Sequence, residues 1–335
     1  MTDNTSAGFD ARRFKALERT GFNRIAARYA DGAPLRASLQ TALLDAAAPA
    51  PGEHILDLAA GPGLLARDAA RRVLPDGWVL ASDIAESMLA EGQRRAEQEG
   101  LPDLLAAACD AEHLAFADGS FDAALLGLGL FIFPDPGKAL AELHRVIRPG
   151  GRIALSVWSP REEVPLIARA QDCIARLLPA PKVPRPSVFR LGTAEALGAL
   201  LQAAGFSRIH LEPHAFTCHF ACAEDYWQAF LDLAGGACLC RGLLAGFPGS
   251  GRRCSGGPVA PPRGHPGPAA RGGGHGTRAP PGRRRLCRGR QRADRHRTAR
   301  LNQASPADSA AAPLTTANRA RVRSRALAWS TTGAG

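Results

Sequence analysis

The sequence lacks the features that several broad protein classes would require. Its longest apolar run, Ala123 to Pro134, is too short to span a bilayer. The amino terminus, MTDNTSAGFDARRF, is polar and has no apolar centre, so no secretory leader is expected. The eight cysteines do not make a metal-binding pattern. Cys109 and Cys173 stand alone in apolar settings, and Cys218-x3-Cys222 and Cys238-x-Cys240 have no second pair or clustered histidine to complete four ligands. A cytoplasmic protein with no metal, no disulfide framework and no membrane span is therefore expected.

Two further absences mark a boundary. No isoleucine follows Ile209, and no lysine occurs from residue 239 onward. Residues 239–335 hold 19 Arg against 2 Asp, which leaves 23 basic against 29 acidic residues in 1–238. The formal net charge of +11 thus averages an acidic region and a strongly basic one. Residues 239–290 contain 14 Gly, 8 Pro, 11 Arg and no acid. Such a composition buries too little apolar surface to offset its ordering entropy. A domain over 1–238 and a disordered tail over 239–335 are expected. The tail fits a nucleic-acid-binding arm, a solvated extension, or the product of a shifted reading frame in GC-rich DNA. The abruptness of the change favours the last.

The informative segment is HILDLAAGPGLLAR, His54 to Arg67. An apolar strand ends near Asp57 and passes through a turn of small residues, Ala59 to Gly63, into a helical pattern. A turn without bulky side chains lets a ligand lie against bare backbone. A second apolar strand, Trp78 to Ser82, ends on Asp83. An acid at the tip of the neighbouring strand suits the two hydroxyls of a ribose. A dinucleotide site needs G-x-G-x-x-G to bind pyrophosphate. Here only Gly61 and Gly63 fit, and Asp57 would repel a diphosphate. A cofactor with a ribose but no phosphate, S-adenosylmethionine, matches better than a nicotinamide dinucleotide.

The later segments keep the same order. Cys109 to Pro136 opens with Asp110-Ala111, turns at Gly119-Ser120 and continues as a buried strand, FDAALLG. Lys138 to Trp158 reads as helix, Pro149-Gly150-Gly151 turn and strand. From about Phe22 to Leu233 the chain resembles the class I S-adenosylmethionine-dependent methyltransferases, and most of all the ubiquinone/menaquinone C-methyltransferase-like branch. The resemblance implies a doubly wound, mostly parallel, Rossmann-like α/β sheet. It implies that the turn from Asp57 through Ala59, Gly61, Pro62 and Gly63 passes under the methionine part of the cofactor. It places Asp83 on the ribose, Ile84 against the adenine, Asp110 on the adenine amino group and the Ala111 N–H at a ring nitrogen. Gly127 would lie near the sulfonium, and Tyr29 would cover the cofactor. Pro62 departs from the family's usual Thr, Ser or Cys and removes an N–H.

The implied reaction is methyl transfer from S-adenosylmethionine to a small-molecule acceptor, in which orientation and exclusion of water supply most of the acceleration. A nucleic-acid methyltransferase anchored by the tail is disfavoured by the acidic motif-bearing region. A cofactor-binding protein with impaired activity is a third reading. No general base is assigned: His113, Asp135 and His144 each have an ordinary structural role available. Phe131, Phe133 and Trp158 are candidate walls of the acceptor pocket. Helices are expected at 34–48, 64–73, 85–99, 136–147, 193–204 and 221–236. Strands are expected near 54–58, 78–83, 104–109, 121–127, 152–158 and 207–213. The Pro-rich stretch from Ser159 to Arg190 is expected to form part of a lid. No later segment alternates apolar and β-branched residues, so a sheet without a regular final antiparallel strand is expected.

Overall fold

Alternation of short apolar strands with amphipathic helices produces a three-layer arrangement. The computed structural model describes residues 9–101, 104–179, 181, 183–233 and 320–332. The strands are β1 (His54–Leu58), β2 (Trp78–Asp83), β3 (Leu105–Ala108), β4 (Phe121–Gly127), β5 (Ile147–Trp158), β6 (Ile209–Phe220) and β7 (Ala320–Thr332). Their order across the sheet is β3-β2-β1-β4-β5-β7-β6. β3, β2, β1, β4 and β5 are mutually parallel, and β7 runs antiparallel to both β5 and β6.

Helices α1 (Ala11–Asp31), α2 (Ala37–Ala47), α3 (Leu64–Val73), α4 (Glu86–Gln98), α5 (Pro136–Val146), α6 (Pro165–Leu177), α7 (Ala194–Ala203) and α8 (Ala223–Leu233) accompany the sheet. Successive strand residues face opposite layers, as the pleat requires. Ile55, Ala123 and Leu125 join Leu43 of α2, Leu65 and Val73 of α3 and Leu89 of α4 in one core cluster. Leu56, Leu58, Ala124 and Leu126 join Leu140 and Leu143 of α5 and Leu197 and Leu201 of α7 in the other. Burial on both faces explains why these strands are continuously apolar.

Helix ends follow local chemistry. Asp135 caps α5, its Oδ1 accepting from the Lys138 N–H at 2.9 Å, with Pro136 at the first helical position. Thr193 caps α7 by accepting from the Ala196 N–H at 3.2 Å. Gly205, past the end of α7, takes the left-handed conformation at φ +93.

Three elements differ from the sequence expectations. A regular final antiparallel strand does exist: β7 lies between β5 and β6, pairing from Trp158↔Ala326 to Arg152↔Thr332 on one side and from Phe220↔Ala320 to Ile209↔Thr331 on the other. The backbone ladder alone is sufficient for pairing, and few β-branched side chains are needed when both edges are supplied by neighbours. The strand also places part of the Arg-rich region inside the sheet. The expected disorder of 239–319 lies outside the described residues. The second difference is α1, which no expected helix covered. Asp10 caps it, accepting from the Arg13 N–H at 2.9 Å. The third is α6, within the stretch expected as a Pro-rich lid. Pro165 begins that helix at a position where its missing N–H costs nothing.

Candidate functional site

The carboxyl ends of β1, β2, β3 and β4 converge under α1 on an open cleft. A second, smaller cavity lies across the glycine turn. Tyr29, Ala59, Gly61, Gly127 and Leu128 line both.

The turn is built from left-handed residues. Ala59 has φ +52, Gly61 +54 and Gly63 +65. A side chain on Gly61 would meet the Tyr29 ring at 3.6 Å, so the missing Cβ keeps the space between ring and backbone open. Ala59 and Leu128, at φ +54, pay a steric penalty of about 1 kcal/mol each for that conformation. Both line the cleft, and strain of this kind concentrates at functional sites.

Three carboxylates stand at the strand ends. Asp57, at the end of β1, is buried and its Oδ2 accepts from the Ala66 N–H at 2.9 Å. Burial pushes its pKa up to about 8; the Ala66 N–H opposes the shift and the charge of Asp83 adds to it. Asp83 ties β2 to the glycine turn. Its Oδ2 accepts from the Gly61 N–H at 2.9 Å and its Oδ1 from the Ala85 N–H at 2.8 Å. Burial raises its pKa above the usual carboxylate range, against those two N–H groups. Asp110, beyond β3, meets the Lys15 ammonium at 2.8 Å, and Lys15 also reaches Glu112 at 2.6 Å. Burial works against ionisation of Asp110, but the Lys15 contact outweighs it and holds the pKa low.

Most of the sequence-predicted residues come together here. Tyr29, Ala59, Gly61, Asp83, Ile84, Asp110, Ala111, Gly127 and Phe133 line the larger cleft. Asp57 and Pro62 line the smaller cavity. Gly63 instead caps α3, with Gly92 of α4 close behind it. Phe131 and Trp158, expected as acceptor-pocket walls, are buried in the core cluster, with Trp158 tilted against Phe216 at 6.2 Å. They point to packing rather than to ligand contact. Of the weighed bases, His113 is exposed, Asp135 is a helix cap and His144 packs edge-on against Phe206.

Sequence reasoning missed the contribution of α1. Phe14, Lys15, Glu18, Phe22 and Tyr29 form its cleft-facing side. Their three-to-four-residue spacing is the signal that could have shown it. The segment following α6 holds α1 and the cleft rim in place: the Arg185 guanidinium pairs with buried Glu18, and Arg190 donates to the Phe133 carbonyl. Among the described residues no cluster of His, Cys, Asp and Glu could hold a metal ion. No helix among them is long and apolar enough to cross a membrane.

The glycine turn also depends on α4. A Cβ on Gly92 would lie 3.0 Å from the Pro62 carbonyl carbon and 3.1 Å from its oxygen. Gly92→Ala is therefore expected to push the turn outward. Overpacking should outweigh the gain in helix propensity and cost about 1–2 kcal/mol. A thermal melt no lower than that of the parent protein would show that the turn yields freely.

The family model for the ubiE/COQ5 methyltransferase family matches residues 37–181. The chain is 36% identical over 177 residues to the demethylmenaquinone methyltransferase of Clavibacter sepedonicus, covering 49% of this chain and 69% of that protein. It is 40% identical over 117 residues to the ubiquinone/menaquinone biosynthesis C-methyltransferase of Cupriavidus pinatubonensis, covering 34% of this chain and 48% of that one. The chain thus spans about half the length of several curated relatives that it matches. A solved putative methyltransferase from Bacillus halodurans aligns with a TM-score of 0.46 at 22% identity, over 63% of this chain and 86% of that one.

Proposed function

The chain belongs to the ubiE/COQ5 methyltransferase family, and from that premise we propose that it transfers a methyl group from S-adenosylmethionine to a small apolar acceptor in the cytoplasm. The observation that carries this reading is one cleft bounded by the Gly61 backbone, Asp83, Ile84 and Asp110 at the ends of consecutive parallel strands. The donor set fits the cofactor. Asp83 offers carboxylate oxygens to a ribose diol, and Asp110 offers an acceptor to an exocyclic amino group. Ile84 and Met88 supply an apolar wall for a purine.

The cofactor supplies an electrophilic methyl group already activated by its sulfonium. The protein's own residues orient and enclose. Tyr29 stands over the glycine turn, fixed by edge contact with Phe22 at 5.9 Å and by the Arg36 guanidinium 4.2 Å from its ring centroid. Leu128 and Phe133 give the far end of the cleft an apolar lining suited to an unsaturated ring. The quinone pathway names of the relatives support a quinone-type acceptor and methylation at carbon. Among the described residues, Cys109, Cys173 and Cys218 are free thiols.

Calorimetric titration of the full chain with S-adenosylmethionine tests the proposal. Asp83→Ala is expected to weaken binding at least tenfold, because losing a charged acceptor for two hydroxyls costs about 1.5–3 kcal/mol. Unchanged affinity in that variant would put the ribose elsewhere. Preference for NADH over S-adenosylmethionine would sink the proposal entirely.

A further inference from the structure

An ion cluster at the larger cleft joins elements that lie far apart in the chain. Lys15 lines the cleft from α1. Its ammonium donates to Asp110 Oδ1 at 3.0 Å and Oδ2 at 2.8 Å, and to Glu112 Oε2 at 2.6 Å. Glu112 Oε1 accepts in turn from the Asp135 N–H at 3.0 Å, at the end of the loop that follows β4. The Lys15 side chain is 18% exposed and that of Glu112 8%. An ion group so enclosed is screened much less than a surface pair. Burial acts to lower the Lys15 pKa, and the hydrogen bonds and charges of the two carboxylates more than reverse it. His113, whose Nδ1 lies 3.4 Å from Asp110, is exposed. Glu112 thus has both oxygens engaged and is pinned, whereas Asp110 keeps a side open to the cleft.

We infer that Lys15 is a positioning residue for the choice of nucleobase: it holds Asp110 as a charged acceptor aimed into the cleft, so that a bound base must present a donor there. The inference rests on the cofactor reading above and deepens it, because Asp110 is the group that faces the exocyclic amino group in that reading. Without the Lys15 ammonium, two carboxylates would share the space around one missing cation. Like charges at such range disfavour ionisation of both. Glu112 is fixed by the Asp135 N–H, so Asp110 is the one that takes up a proton or swings aside. Either change removes a charge-assisted hydrogen bond to the base, which is the stronger kind. Because Lys15 stands on α1, the cover that this helix gives the cleft and the readiness of Asp110 depend on the same contact. α1 does not hang on Lys15 alone. Arg19 pairs with Glu86, Asn23 Oδ1 accepts from the Ser87 N–H at 2.9 Å, and Glu18 pairs with Arg185. Loss of Lys15 is therefore expected to leave the helix in place and to act on the reading of the base.

The test compares two ligands by calorimetry on the full chain: S-adenosylhomocysteine, and its analogue with hydrogen in place of the exocyclic amino group. Wild type is expected to prefer the amino-bearing ligand by about tenfold or more, the weight of one hydrogen bond to a charged group. In Lys15→Met that preference is expected to fall below about threefold, while affinity for the deamino analogue changes little. Lys15→Arg keeps the cation and is expected to restore most of the preference. Lys15→Met combined with Glu112→Gln removes the repulsion together with the cation, and is also expected to recover most of it. This double variant carries the test if the single one does not fold, and thermal melts of each variant show which case holds. Equal weakening of both ligands in Lys15→Met, with the preference intact, would make Lys15 a purely structural tie and overturn the inference. So would an unchanged preference in that variant, a preference absent from wild type, or no recovery in the double variant. If wild type bound neither ligand, the cofactor reading itself would have failed, an outcome distinct from the others.

Discussion

Asp57→Asn is expected to melt at a higher temperature than the parent protein at pH 8 and at a somewhat lower temperature at pH 4. Asp57 is buried at the end of β1 with a folded pKa of about 8, against an ordinary value of 3.8. Between those values the folded state holds a proton that the unfolded state has released. Stability therefore falls as pH rises through that window, at about 1.4 kcal/mol per pH unit for one such group. Below the unfolded value the carboxyl is neutral in both states and this advantage of the amide vanishes. Asparagine keeps an oxygen for the Ala66 N–H but leaves an amide N–H without an acceptor, which reduces the gain. The net difference at pH 8 should be about 3 kcal/mol, which corresponds to roughly 6–12 °C in a domain of this size. Thermal melts of both proteins from pH 4 to 8 measure it directly. Parallel curves would mean that Asp57 is ionised throughout and satisfied by a partner.

The strand ends were legible because each combined an apolar run with one acid that apolar burial does not explain. Asp57, Asp83 and Asp110 all occupy the edge where open parallel sheets bind ligands. The glycine turn was legible for a related reason: small residues are the simplest way to allow the positive φ values found at Ala59, Gly61 and Gly63. Phe131 and Trp158 lie in the core cluster, and an aromatic near a strand end has the same sequence signature in a core as in a pocket wall. Only packing separates them, and the Phe216 ring of β6 is remote in sequence. Arg36 was not singled out because a lone arginine between Leu35 and Ala37 resembles an ordinary helix-start cation; its buried place over the Tyr29 ring arises only on folding. In β7 the arginines at 321, 323 and 325 alternate with smaller residues, followed by Leu327 and Trp329 at the same period. That is strand periodicity, but charge at the alternate positions hides it from a search for β-branched residues.

Ala328→Pro is expected to disrupt the sheet, although it lies in the part of the chain whose composition suggests dispensability. Ala328 pairs with Ser156 of β5 on one side and Glu212 of β6 on the other. A central strand has no free side on which to hide a missing N–H, so proline there removes a ladder bond and strains the backbone for about 3 kcal/mol or more. The consequences extend beyond one bond. β6 joins the sheet only through β7, so losing β7 exposes the edge of β5 and removes the partner of β6 along its whole length. The buried aromatics of β6, Phe216 and Phe220, belong to the same core cluster as Trp158 and would lose their cover. A chain ending at residue 319 should behave in the same way and more severely. It is expected to unfold with reduced cooperativity, to bind a hydrophobic dye and to aggregate through the opened edges. Melting curves and light scattering on the full chain, Ala328→Pro and the shortened chain decide the matter. If all three melt together, β7 contributes nothing to stability, and a domain confined to residues 1–238 would be self-sufficient. If the substitution and the truncation both lower the melt sharply, β7 is an integral part of the sheet despite the arginine-rich chain that leads to it.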